Sequence, residues 1–139
     1  MTLTRETDVE VDLFARSLIA DKAGSSSLVS VHGNALPDGV DPNTAKGWGS
    51  YYFNPLARGL AQSIQQQALI VLPDMGDDGV HYQNLAVTRP TQMPQVLIEV
   101  GFLTNKGNLR LMMNPQDQDR IVSAIVRGLE NYYRENRQR

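Results

Sequence analysis

The run Leu97-Ile98-Glu99-Val100-Gly101-Phe102-Leu103-Thr104-Asn105 places one acid inside a stretch that otherwise reads as a buried strand. Val96, Ile98, Val100 and Phe102 alternate onto one face, and Leu97, Glu99, Gly101 and Leu103 take the other. An unpaired carboxylate in such a place costs several kcal/mol, so it protonates, pairs or meets a metal. Two readings follow: a core Glu satisfied by an Arg or a backbone amide, or an acid kept for chemistry. A second strand, Leu28-Val29-Ser30-Val31-His32-Gly33-Asn34, points toward chemistry. Its His32 falls at the carboxyl end, just before a loop rich in Pro, Gly and Asp. Ligands collect outside the carboxyl ends of strands in open α/β sheets, and Glu99 lies toward the same end of its own strand. One His and one Glu from two strand ends could converge on a metal-activated water, His32 as metal ligand and Glu99 as proton carrier. A hydrogen-bonded core histidine is the competing reading of His32.

Composition bounds the field. The chain of 139 residues fits a single domain that buries roughly two-thirds of its unfolded surface. Apolar residues make up 41% and charged ones 20%, an ordinary globular balance. A net charge of −2, without a basic stripe interleaved with aromatics, argues against a nucleic-acid partner. Cysteine is absent, which excludes disulfides, thiolate zinc sites and a Cys nucleophile. No apolar run is long enough for a membrane span, and the sequence opens on no secretory-signal pattern.

The elements that must position Glu99 and His32 are legible in outline. Met1 to Arg5 reads as a short strand, and Thr7 with Glu10 has capping-box spacing for a helix to about Lys22. That helix would bury Val11, Phe14, Ala15, Leu18 and Ile19 and pair Asp12 with Arg16. After the His32 strand comes a polar loop, Leu36 to Gly47, then a strand from Trp48 to Phe53. Asn54-Pro55 starts a helix to about Leu69 with Leu56, Leu60, Ile64 and Ala68 inward. Pro73 to Gly79 reads as an acidic loop with His81 exposed beyond it, and Leu85 to Thr88 as a short strand. Thr104 or Asn105 caps a short helix to Met113. Asn114-Pro115 starts the last helix, with Ile121, Ile125 and Leu129 as its buried stripe and Val122, Val126 and Tyr133 beside it. The tail from Arg134 to Arg139 is expected to fray. Strands alternating with helices imply an α/β fold with a mostly parallel twisted sheet flanked by helices.

These residues carry a resemblance. Leu3-Thr4-Arg5 with Asp8 and Arg16, Val29 through Ala35, Leu85 through Arg89, and Pro94 through Asn105 together resemble the zinc-dependent N-acetylmuramoyl-L-alanine amidases of the Amidase_3 type. The likeness runs through nearly the whole chain, in order. It implies a peptidoglycan hydrolase that cleaves the amide between the lactyl group of N-acetylmuramic acid and the L-alanine of the stem peptide. In that mechanism His32 matches a zinc-binding histidine, and Glu99 matches the glutamate that takes the water proton and passes it to the leaving nitrogen. Asn34 is assigned a role in supporting the metal ligand or in fixing the loop, with a purely structural role as the competing reading, Arg89 an ion-pair or packing role, and Asp8 and Arg16 structural roles. His81 matches no ligand. Tyr51 and Tyr52 could line a sugar or peptide groove, although strand spacing makes one of them core.

The chain also departs from the family pattern. The turn that supplies the family's first zinc histidine, and the helix-borne Glu that is its next ligand, have no match here, and His81 is the only other histidine. Residues 1–139 are therefore expected to form one amidase domain that is amino-terminally incomplete, lacking the family's first strand and helix. The missing strand is expected beside the His32 strand, leaving a sheet edge open to self-association. Some periplasmic members carry a helix after the strand matching Trp48 to Phe53 that blocks the zinc site; here Phe53 runs straight into Asn54-Pro55, so an open site is expected. The resemblance implies action outside the cytoplasm, in the periplasm or cell wall, with Zn2+ as cofactor. The alternative is a non-catalytic truncated relative that binds a muropeptide or a partner and cleaves nothing.

Overall fold

The computed structural model describes residues 1–137, and its elements run α1 (Leu13–Lys22), β1 (Leu28–Asn34), β2 (Trp48–Tyr52), α2 (Arg58–Val71), β3 (Asp77–Tyr82), β4 (Gln95–Phe102), α3 (Lys106–Met113) and α4 (Pro115–Arg137). Short 3-10 turns occupy Pro55–Ala57, Pro73–Met75 and Ala86–Thr88. The four strands form one sheet in the order β1-β4-β2-β3. The β1–β4 and β2–β3 pairs are parallel, and β2 runs antiparallel to β4. Two of three neighbouring pairs thus carry the expected parallel sense.

β4 is the axis of this arrangement because its sequence can be buried on both faces. Val96, Ile98 and Val100 join Trp48 of β2, Leu60 and Ile64 of α2, and Ile121 and Ala124 of α4 in one apolar cluster. On the opposite face α1 crosses the amino-terminal end of β4, where Ser17 Oγ donates to Gln95 Oε1 at 2.8 Å. The helices α2 and α4 approach closely at Gly128, whose backbone carbonyl accepts from Ser63 Oγ at 2.7 Å. Two buried polar side chains fix the strand ends. Asn108 Oδ1 accepts from Gly47 N at 2.8 Å and Phe102 N at 3.1 Å, while its Nδ2 donates to Met75 O at 2.8 Å. Gln65 Nε2 donates to Trp48 O and Asp77 Oδ1, and its Oε1 accepts from Ser50 Oγ. Each holds a segment whose backbone groups would otherwise be buried without partners.

The helix starts follow the expected chemistry at three of four places. Asn54 Oδ1 accepts from Leu56 N, Asn105 Oδ1 from Gly107 and Asn108 N, and Asn114 Oδ1 from Gln116 and Asp117 N. The exception is α1. Its cap is Asp12, which accepts from Phe14 and Ala15 N, so Thr7 and Glu10 lie outside the helix and Asp12 is not paired with Arg16. Arg16 Nε donates instead to Val11 O. The face of α1 that is buried carries Ser17 and Ala20, whose small side chains permit close approach to the sheet. Phe14 and Leu18 are left exposed.

Other segments also differ from expectation. Met1 to Arg5 forms no strand, since no neighbouring strand takes up its backbone groups. The acidic stretch after Pro73 is a 3-10 turn leading into β3, so His81 lies in a strand rather than a loop. Leu85 to Thr88 turns instead of extending, because Thr88 Oγ1 donates to the Gln83 and Leu85 carbonyls and accepts from Leu85 N. Leu56, Val122 and Val126 are exposed, and the fully buried positions of α4 are Ile121, Ala124 and Gly128. The helix continues through Arg137 into the expected fray; Gln138 and Arg139 lie outside the described residues. No described helix is long and apolar enough to cross a membrane.

The α2–α4 contact gives a stability test. A Cβ on Gly128 would lie 2.6 Å from Ile64 Cα and 2.9 Å from Ile64 N, backbone atoms that cannot turn aside. Overpacking of this kind costs about 1–3 kcal/mol, more than the ~1 kcal/mol of helix propensity gained by replacing glycine. Gly128→Ala is expected to lower the Tm by several degrees in thermal denaturation; an unchanged or raised Tm would show that the helices can separate freely.

Candidate active site

Register brings the predicted residues together. His32 on β1 and Gly49 on β2 both lie directly opposite Glu99 on β4. Directly opposed residues point to the same side of a sheet. His32, Glu99 and the bare backbone of Gly49 therefore form one row across three strands, with neighbouring strands about 4.8 Å apart. One step along, Ser30, Leu97, Tyr51 and His81 form the next row on that face.

Glu99 is half-buried, and its Oε2 is fully enclosed with no hydrogen-bond partner among the described residues. The reading of Glu99 as a satisfied core acid is not supported: no Arg and no backbone amide reaches that oxygen. Burial raises its carboxyl pKa above the ordinary value, and the Asp78 carboxylate raises it further. His32 is exposed and lies at the open edge of the sheet. Partial desolvation lowers its pKa, with the charge of Arg16 as the second cause. The structural role expected for Arg16 is met by its bond to Val11 O, and its charge also reaches the site.

Three residues that carry little weight in the sequence lie on the same face. Tyr51 Oη donates to Asp78 Oδ2 at 3.0 Å, and the Tyr51 ring stacks on His81 with centroids 4.7 Å apart. His81 Nε2 lies 2.8 Å from the Asp78 carbonyl oxygen and 3.2 Å from Asp78 Oδ2. Burial, followed by the Asp78 charge and hydrogen bond and the Glu99 charge, holds the Tyr51 hydroxyl protonated well above its ordinary range. The signal that could have found this group is the acid pair before Gly79, which marks a bulge as well as a turn. Of the two tyrosines, Tyr52 packs against the core and Tyr51 faces the site. Asn34 fixes the loop as expected: its Oδ1 accepts from Ala35 N, and its carbonyl accepts from Leu103 N. Arg89 is exposed and donates to Asn84 Oδ1 rather than forming an ion pair.

The donor chemistry does not fit a catalytic zinc. Such a metal takes three protein ligands at about 2.0–2.2 Å and keeps one position open. Among the described residues no three His, Cys, Asp or Glu side chains are grouped to hold a metal. His32 supplies one imidazole, and a single imidazole does not make a metal centre. After exhaustive dialysis the chain is expected to retain essentially no zinc by elemental analysis; about one zinc per chain would show that donors reach His32 from a neighbouring molecule. Glu99 gives a second test. Because its folded pKa is raised, the folded state keeps a proton that the unfolded chain has released, and stability falls as pH rises through that interval. Glu99→Gln removes the loss. Urea denaturation is expected to show variant and parent equal below the carboxylate range and the variant more stable at neutral pH; the reverse order would mean that an unseen cation compensates Glu99.

Comparison with known proteins identifies the fold. The N-acetylmuramoyl-L-alanine amidase family model, Amidase_3, matches residues 1–131. The probable cell wall amidase LytH of Staphylococcus epidermidis is 30% identical over 135 residues, covering 94% of this chain and 42% of that protein. The chain thus spans less than half the length of that relative. Among solved structures, the catalytic domain of the amidase CwlV from Bacillus (Paenibacillus) polymyxa var. colistinus superposes with a TM-score of 0.85 at 28% identity, over 95% of this chain and 71% of that one. The amidase AmiC2 of Nostoc punctiforme superposes with a TM-score of 0.88 at 27% identity, over 96% and 72%. The α/β sheet with its flanking helices is an amidase catalytic fold, and the chain belongs to the N-acetylmuramoyl-L-alanine amidase family.

Proposed function

We infer that residues 1–139 belong to one peptidoglycan amidase domain, acting on the amide between the lactyl group of N-acetylmuramic acid and the L-alanine of the stem peptide. The observation that carries this reading is the enclosed, unpartnered Oε2 of Glu99 beside His32, within a fold shared with amidase catalytic domains. Glu99 is the proton carrier. Its raised pKa suits a group that takes a proton from water and gives it to the leaving nitrogen near neutral pH. His32 is the one imidazole positioned beside it; zinc, which the family resemblance implies, needs donors beyond His32. A peptidoglycan substrate implies action outside the cytoplasm. The unpaired edge of β1, where Val31 is 53% exposed, is the surface for the expected self-association.

A second reading is favoured by the single metal donor: a module that holds a muropeptide without cleaving it. The assay that separates the two measures new alanine amino termini released from peptidoglycan. An amidase that carries these residues together with the remaining zinc donors is expected to release them, and Glu99→Ala in that protein to reduce the rate about a hundredfold or more, the scale of lost acid–base catalysis. His32→Ala is expected to lose activity as well. A Glu99→Ala rate within about tenfold of the parent would remove Glu99 from this role, since acid–base catalysis is worth more than that. Muropeptide binding without release, unchanged by Glu99→Ala, would establish the second reading.

A further inference from the structure

β2 and β3 pair with an irregularity: Trp48 lies opposite Asp77, but the next residue, Gly49, lies opposite Gly79. Asp78 is the extra residue of a bulge, a device that re-aims a side chain. Gly79 makes the bulge possible with a φ of 101°, which favours glycine. The re-aimed carboxylate lies over Gly49: a Cβ there would sit 2.7 Å from Asp78 Oδ2 and 2.9 Å from Tyr51 Cε2. Gly49 is also the residue directly opposite Glu99. A bulge and two glycines thus bring Asp78 onto the Glu99 face.

The surroundings of that carboxylate define what it can take. Oδ2 is held by Tyr51 Oη and His81 Nε2. Nε2 also faces the Asp78 carbonyl, a second acceptor, so this nitrogen carries the hydrogen. Oδ1 receives no hydrogen bond among the described residues, and no Lys or Arg pairs with Asp78 there. The side chain is 24% exposed, so a ligand can reach it. An oriented carboxylate beside the stacked Tyr51 and His81 rings suits an ammonium group, which gains from both the charge and the aromatic faces. A metal ion would need more donors than this cluster groups together.

We propose that Asp78, held by Tyr51 and His81, is a specificity-determining subsite for a primary ammonium group on the stem peptide. This rests on the amidase reading of Glu99, and it adds a preference for stem peptides with a free side-chain amine. The test is an NMR titration of the 139-residue chain with L-alanyl-D-isoglutamyl-L-lysine and with its Nε-acetyl derivative. With only two histidines in the chain, His81 signals are assigned by comparison with a His81→Ala variant. The free amine is expected to shift His81 and Tyr51 signals and to bind about tenfold more tightly than the acetylated peptide, the scale of one partly exposed charge-assisted contact. Asp78→Asn keeps an acceptor for Tyr51 and His81; it is expected to abolish the preference and leave the acetylated peptide's affinity unchanged. Equal affinity of the two peptides for the parent, or a preference that survives Asp78→Asn, overturns the proposal. If the peptides shift the Leu97 and Glu99 amides but not His81, this subsite falls and the amidase reading stands. If neither peptide shifts either strand, both fall.

Discussion

A carboxylate in the central strand of the sheet is the constraint on which the rest of the structure turns. β4 is flanked on both sides and covered on both faces over most of its length, and Glu99 is its one position that is not fully buried. A strand so placed is one of the least forgiving seats for an ionisable group. The molecule accommodates Glu99 by leaving the sheet face open at that point. α1 meets the amino-terminal end of β4 through Ser17 and Gln95. Gly49 on the next strand contributes no side chain. The acid therefore keeps one route to solvent while its Oε2 remains enclosed.

The site is also electrically lopsided. On the β1 side, the Arg16 charge reaches His32 and favours a neutral imidazole. On the β2–β3 side, the Asp78 charge reaches both Glu99 and Tyr51 and favours their protonated forms. A neutral imidazole is the form that can accept a hydrogen bond or donate a lone pair, and a carboxyl of raised proton affinity is the form that can return a proton. Burial is the first cause of both shifts, and the Arg16 charge at His32 and the Asp78 charge at Glu99 add to it. The parallel pairing of β1 with β4 brings His32 beside Glu99, and the bulge at Asp78 brings a second carboxylate onto the same face.

What is legible in the sequence divides along physical lines. Period-two alternation around Glu99 and His32 is readable because both strands are long and bounded by turn residues, and their parallel pairing then follows from the α/β pattern. Caps at Asn54, Asn105 and Asn114 are readable because an Asn cap acts within three residues. β3 is hidden, because a bulge breaks the period on which strand recognition depends, and Asp77-Asp78-Gly79 has the composition of a turn. The start of α1 is misread because Thr7 and Glu10 have capping-box spacing, whereas the cap that forms is Asp12, with Ser17 and Ala20 as the buried positions of the helix. Pairing across distant segments, such as Tyr51 with Asp78, has no local signature.

The presence of Glu99 bears on the choice between a catalyst and a binding module. A module needs shape and hydrogen bonds from this face; Leu at position 99 would supply volume without an enclosed, unpartnered polar atom in the central strand, and Gln would supply it without the charge. Replacing a buried charge that lacks a partner by a neutral or apolar group is neutral or stabilising in general. Asp78 sharpens the point, since a second carboxylate on the same face raises the cost of ionising Glu99. Two acids brought together on one sheet face by a bulge and a missing side chain are an expense that folding does not require. The proposed proton transfer at the substrate amide accounts for Glu99, and an ammonium-bearing substrate accounts for Asp78.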